Sequence, residues 1–303
     1  MLECISMSNT EEQYFLNKAK EILENGIDSD DRTGTGTKFL FSQKFDYDIS
    51  GGKIPIWTTR KVPFKNQVWE LIWMIRGDSN IKWLKDRFVN IWDSWADENG
   101  SIGPTYSKQL RNWETPDKSK TLHINNRNAD NLNETFFGVK SVDQFANLIQ
   151  GLKDNPESRR HIIALWNSGE YADLQKPYLP SCHSNHIQIV IENKKYLHYQ
   201  MVQRSADFLI GYCPWQHALF ANIIGRLTGY EPKSMSVVIT NCHIYKNQFD
   251  AAKEQISRIP TQFPTLRMSE TIKSIKDVEN STLDDYQLIG YEPQPNIKIP
   301  ISI

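Results

Sequence analysis

Apolar residues recur at helical spacing over residues 11–25, where Tyr14, Phe15, Ala19, Ile22 and Leu23 share a face and Asn25-Gly26 supplies a stop. The same period predicts helices over 66–76 (Val68, Leu71, Ile72, Ile75), 142–152, 218–227 (Phe220, Ile223, Ile224, Leu227) and 250–258. Gly229 and the Asp154-Asn155-Pro156 run mark two of their ends. Alternating and β-branched runs predict strands over 38–47, 161–166 and 234–240. Residues 187–191 and 196–202 flank a polar turn, Glu192-Asn193-Lys194-Lys195, and read as a hairpin. Residues 113–140 are rich in Asn, Asp, Lys and Thr and read as a surface insertion. There are no repeats and no linker, so residues 1–303 read as one domain of the α/β (α+β) class.

The chain's 303 residues can bury a full core. Its formal net charge of -1 gives no general attraction to nucleic acid or to an acidic membrane, so an anionic ligand would need a local arginine cluster. Cys4, Cys182, Cys213 and Cys242 are widely spaced, unlike a disulfide scaffold or a zinc ribbon. No apolar run approaches the roughly 20 residues of a membrane span. No signal peptide is visible either, so the expectation is a soluble cytoplasmic protein.

Chemistry concentrates after residue 180. Cys182 precedes one strand of the hairpin and Arg204 ends the other, so the two can meet in space. A guanidinium beside a thiol favours the nucleophilic thiolate, although a cysteine in such a chain is more commonly a small core residue. Glu70 lies between Trp69 and Trp73 on the 66–76 helix, where burial would raise its pKa and suit it to proton transfer; an exposed glutamate is the plainer alternative. Trp83, Trp92 and Trp95 are interrupted by Asp93, Asp97 and Glu98, which suits a pocket wall better than a core. His243 and Tyr245, two apart on a strand, can offer two donors to one hydroxyl. The loop 28–36, with Arg32 and two glycines, could approach an anion or could be an ordinary turn. Arg159-Arg160 would ordinarily be a solvated basic pair. Cys182, His183 and His186 do not suit one metal ion, because adjacent strand residues face opposite ways.

Several ordered motifs run along the chain: Leu179-Pro180-Ser181-Cys182-His183, Gln203-Arg204-Ser205-Ala206-Asp207, Asp31-Arg32-Thr33-Gly34-Thr35-Gly36-Thr37, Gly77-Asp78-Ser79-Asn80-Ile81, the run 91–100, Gly103-Pro104-Thr105-Tyr106, Ser158-Arg159-Arg160, His243-Ile244-Tyr245 and Ile299-Pro300-Ile301-Ser302-Ile303. Together they resemble the motifs of thymidylate synthases and the related phage pyrimidine hydroxymethylases. The resemblance implies a large mixed twisted sheet flanked by helices, with one sheet face forming a dimer interface. It implies Cys182 as nucleophile, with Glu70, Tyr106, His183, Arg204 and Asp207 as further catalytic residues. Arg32, Gln203, Arg204, Ser205, His243 and Tyr245 would bind the nucleotide. Arg159 and Arg160 would reach the partner subunit's phosphate, so active sites would be shared in a homodimer. Trp92, Trp95, Asp207, Leu209, Gly211 and Ile303 would hold 5,10-methylenetetrahydrofolate as cosubstrate, and no metal is implied. An inactive nucleotide- or RNA-binding relative is a further reading, which the joint presence of Cys182, Glu70, Arg204 and Asp207 disfavours.

One segment departs from the family pattern. Synthases resembling this chain carry Gly-x-Pro-Phe-Asn after the Arg-Ser motif, and the asparagine reads uracil; cytosine-specific hydroxymethylases have aspartate there. Here the run is Gly211-Tyr212-Cys213-Pro214-Trp215-Gln216. Without a gap Trp215 takes the base-reading position; with one inserted residue Gln216 does. The gapped register keeps Ala218 and Phe220 on the family's helix pattern and is preferred. A glutamine amide can read uracil and could also flip to read cytosine, but no carboxylate lies between Gly211 and Ala218, which favours dUMP over dCMP.

Overall fold

The computed structural model describes residues 9–31, 33–125, 133–171, 180–182 and 186–302. The first helix, α1 (Thr10–Asn25), starts where Asn9 Oδ1 accepts the Glu12 amide at 3.0 Å. Its inner face buries Phe15, Leu16, Ala19 and Ile22, and Phe15 stacks on Trp57 with ring centroids 3.9 Å apart. Glu12 shares that buried face. Its carboxylate accepts from the amides and hydroxyls of Thr58 and Thr59 at 2.6–3.0 Å. A buried carboxylate with several donors costs far less than an unpaired one. The bonds also fix the backbone that leads into Arg60.

The other helices are α2 (Phe64–Ile75), α3 (Lys82–Lys85), α4 (Tyr106–Arg111), α5 (Gln144–Asp154), α6 (Ser168–Tyr171), α7 (Pro214–Thr228), α8 (Phe249–Ile256) and α9 (Ile275–Asn280). The strands are β1 (Ile27–Ser29), β2 (Thr37–Asp48), β3 (Trp113–Asn125), β4 (Asn133–Val142), β5 (Ile162–Ile163), β6 (His186–Glu192), β7 (Tyr196–Asp207), β8 (Glu231–Tyr245), β9 (Thr265–Met268) and β10 (Tyr286–Ile289). Six of them form one mixed sheet in the order β1-β2-β8-β7-β6-β5. Only β7 and β8 run parallel, and α7 is the crossover such a pair requires. One sheet face buries Phe45, Tyr47, Ile189, Met201, Val237 and Ile239, with α1 and α7 packed on the sheet. The expected α/β architecture, a large mixed sheet flanked by helices, is therefore present.

Four elements differ from their sequence-based expectation. Helix α7 begins at Pro214, not at residue 218, because proline suits the first helical position and needs no amide partner there. That puts Gln216 in the helix's first turn. Strand β8 runs unbroken to Tyr245, so His243 and Tyr245 lie within it. The strand expected over 161–166 shrinks to Ile162–Ile163. Its continuation is capped by a side chain: Gln144 Nε2 donates to the Ala164 carbonyl at 2.7 Å and Gln144 Oε1 accepts the Ala164 amide at 3.0 Å. The polar segment expected as an insertion over 113–140 is a two-stranded ribbon, β3–β4, separate from the main sheet. Pairing runs from Trp113 opposite Val142 to Asn125 opposite Asn133, with a register shift between Asp117 and Thr121.

Candidate active site

Parallel pairing sets Asp207 beside His243 and Ser205 beside Asn241, so the ends of β7 and β8 open together onto one cavity of about 420 Å³. Cys182 lines it. The cysteine stands just ahead of β6, held to β7 by the Arg204 amide donating to its carbonyl at 3.3 Å. The Arg204 side chain folds back on the same segment. Nε donates to the Ser181 carbonyl at 3.0 Å, and Nη2 to the Pro180 carbonyl at 3.1 Å and to Cys182 Sγ at 3.0 Å. From the other side, Tyr106 Oη accepts the Cys182 amide at 2.8 Å. A fixed cation in contact with the sulfur stabilises negative charge there.

Glu70 comes from the buried face of α2. Trp92 Nε1 donates to Oε1 at 2.8 Å and Gln216 Nε2 to Oε2 at 2.6 Å. Burial pushes its carboxyl up to about 7, and the two donors hold it from going higher. Proton exchange near neutral pH is what such a group can do. The Trp92 ring packs against Trp95 at 5.9 Å and Tyr106 at 5.7 Å, and all three line the cavity. Gln216 also lines it. With Glu70 ionised its carboxylate accepts only, and the Gln216 amide nitrogen faces it.

Asp207 is the second buried carboxylate. The amides of Leu209 and Ile210 donate to Oδ1 at 3.1 and 3.3 Å, and Gln248 Nε2 donates to Oδ2 at 2.7 Å. Burial raises its pKa to about 6. Gln203 ties the following turn to β7, donating from Nε2 to the carbonyls of Ser205 (3.0 Å) and Gly211 (3.1 Å), while its buried Oε1 has no partner among the described residues. His243 and Tyr245 line the cavity edge to face, 5.2 Å apart, and His243 Nδ1 pairs with Asn241 Oδ1 at 2.9 Å. Burial lowers the His243 pKa, which disfavours the charged ring.

Around this cavity the structure gathers Glu70, Trp92, Trp95, Tyr106, Cys182, Gln203, Arg204, Ser205, Asp207, Gly211, Gln216, His243 and Tyr245. It does not bring Trp215 or Leu209 to the cavity wall. Trp215 is buried edge-on against Trp57, at 5.4 Å, because it points off the inner side of α7. Leu209 is fully buried and contributes its carbonyl to Arg60. Of the two residues weighed for base reading, Gln216 is therefore the one with access. Arg159 and Arg160 are exposed and do not line the cavity. Arg32, His183 and Ile303 lie outside the described residues. Sequence reasoning missed Arg60, which also donates to Gln255 Oε1 at 3.1 Å, and Gln248. Neither stands in a local pattern; both act across long chain separations. Cys213, to which the sequence assigns no role, lines the cavity with its thiol pKa raised by burial.

A thiol beside a cation, two buried carboxylates and an indole wall round one cavity suit nucleophilic and acid–base chemistry. Residues 13–303 match the family profile described as thymidylate synthase, and the chain belongs to that family. Its members transfer a one-carbon unit to C5 of a pyrimidine nucleotide with methylenetetrahydrofolate as cosubstrate. Among the described residues no helix is long and apolar enough to cross a membrane. No cluster of three or more His, Cys, Asp or Glu is arranged to hold a metal there either.

Proposed function

We propose that this protein converts dUMP to dTMP by reductive methylation. The observation that carries the reading is the pairing of Cys182 with Arg204, 3.0 Å apart, in the same cavity as a Glu70 carboxyl held near neutrality. Cys182 would add to C6 of the pyrimidine, which makes C5 nucleophilic. Glu70 would take the C5 proton that the one-carbon unit replaces and pass it on to water. Elimination of Cys182 from C6 would then regenerate the thiolate. His243 and Tyr245 would meet the sugar hydroxyl. Ser205, Arg32 and the remaining Arg204 donors would meet the phosphate. The cavity's own groups suit the folate: Asp207 is a buried acceptor for pterin N–H donors, and Trp92 and Trp95 give flat apolar walls. When bound, 5,10-methylenetetrahydrofolate would supply the one-carbon unit and the reducing equivalents.

Gln216 supports uracil. With Nε2 turned to Glu70, its Oε1 is the atom left for a ligand, and it has no partner among the described residues. Uracil N3 carries a hydrogen to donate; cytosine N3 would meet that oxygen lone pair to lone pair. Purified protein given dUMP and methylenetetrahydrofolate should yield dTMP and dihydrofolate, read by mass spectrometry and absorbance. A 5-hydroxymethyl product, or turnover of dCMP alone, would reassign it to the hydroxymethylase branch.

The homodimer is part of the same proposal. The sheet face opposite α1 and α7 is open, with a shallow concavity lined by Lys44, Asp46, Gln188, Val190, His198, Gln200, Ser234 and Ser236. Phe41 and Val190 are 70% and 51% exposed on the sheet. Arg159 borders this region, its carbonyl accepting from Gln188 Nε2 at 3.2 Å. Mixing inactive Arg160→Ala and Cys182→Ala chains under subunit exchange should restore up to about a quarter of wild-type activity, as random pairing leaves one intact composite site in the mixed dimer. No recovery would remove the cross-subunit role of Arg160.

A further inference from the structure

Gln248 is fully buried at the end of the short turn Lys246–Gln248 that follows β8. Its Nε2 carries two hydrogens, and both are used. One goes to Asp207 Oδ2 at 2.7 Å and the other to the Pro300 carbonyl at 3.0 Å. Its Oε1 is buried with no partner among the described residues. An amide oxygen left so is costly, so the turn is held for what the nitrogen does. The neighbouring Asn247 Nδ2 donates to Ser302 Oγ at 3.2 Å. Ile301 and Ser302 line the cavity together with Asp207. One turn therefore grips residues 300–302 at two points and touches the cavity carboxylate with the same amide.

We propose that Gln248 is a positioning residue that couples the C-terminal segment 300–302 to Asp207, so that the segment's seating over the cavity and the state of that carboxylate change together. The physical basis is stoichiometric. Gln248 is fully buried, so losing either acceptor breaks one of the two bonds that fix its amide and loosens its hold on the other acceptor; release of the segment is felt at Asp207 and the reverse. A shorter or apolar side chain cannot bridge both. The inference rests on the proposed folate role of Asp207 only for its kinetic consequence: affinity for the folate, a fused heterocycle with N–H donors, should depend on Gln248, whereas nucleotide affinity should not.

Fluorine NMR on the full chain without ligands tests the coupling, with 4-trifluoromethylphenylalanine in place of Ile301, which is 61% exposed. Gln248→Ala, and Gln248→Met, which roughly keeps the volume and loses the amide, should each raise the unseated-to-seated ratio of the segment several-fold, up to about tenfold, the change expected for losing the neutral bond to the Pro300 carbonyl. Asp207→Asn, which has no hydrogen bond to the segment, should raise the same ratio. In kinetics Gln248→Met should raise the KM for methylenetetrahydrofolate about tenfold with the KM for dUMP within about twofold. An unchanged ratio in Gln248→Met, or a rise there with none in Asp207→Asn, would overturn the coupling. Wild-type protein without folate turnover would overturn only the kinetic consequence and the proposed function, since the NMR experiment needs neither.

Discussion

Cys182→Ser is expected to lower kcat by at least about a thousandfold while leaving dUMP affinity within a few fold of wild type. The serine oxygen keeps the shape but is a far weaker nucleophile at neutral pH. Arg204 would still be anchored by its bonds to the Pro180 and Ser181 carbonyls, at 3.1 and 3.0 Å, so the segment and the nucleotide site stay formed. The 2.8 Å bond from the residue-182 amide to Tyr106 Oη is a backbone bond and survives the change. Single-turnover kinetics with calorimetric dUMP binding separates the two effects. Turnover within about tenfold of wild type would show that the sulfur does not attack.

Glu70→Gln should cost about 10²–10⁴ in kcat, the range for losing a positioned general acid–base. It should also flatten a pH dependence of stability. The Glu70 carboxyl sits at about 7 when folded, against an ordinary value of 4.5 in the unfolded chain. Between those values the folded protein binds the extra proton, so stability falls as pH rises from about 4.5 through 7 and is level above, a loss on the order of 3 kcal/mol. Glutamine has no proton to lose. The melting temperature of Glu70→Gln relative to wild type should therefore rise from pH 5 to pH 8. A constant difference across that range would place the Glu70 pKa at its ordinary value.

Helices α1, α2 and α8 and the β6–β7 hairpin were legible because their signal is local: an apolar stripe of period 3.6, or two short apolar runs across a polar turn. The parallel union of β7 with β8 was not, since nothing in either strand names its partner. The short β5 ends because of a glutamine on another helix, which no strand pattern reveals. In the site, motif residues such as Cys182, Arg204 and Asp207 were legible as types. Trp215 and Leu209 sit among them in sequence but turn into the core, because a neighbouring position on a helix or turn faces elsewhere. Gln248 could not be found from the chain alone. It has meaning only once Asp207 and Pro300, far away in sequence, are placed on either side of it.

The bond from Gln216 to Glu70 also bears on how this chain could diverge. One amide faces the position proposed to read the base and at the same time holds the carboxyl that would move its proton. A mutation that altered base preference here would alter acid strength in the same step. Aspartate at this position would set a second anion against Glu70 and drive its proton affinity further up. A lineage drifting toward cytosine would thus cross an unfit intermediate unless a compensating change near Trp92 came first. Descendants of this sequence should show substitutions at residues 92 and 216 arriving in pairs.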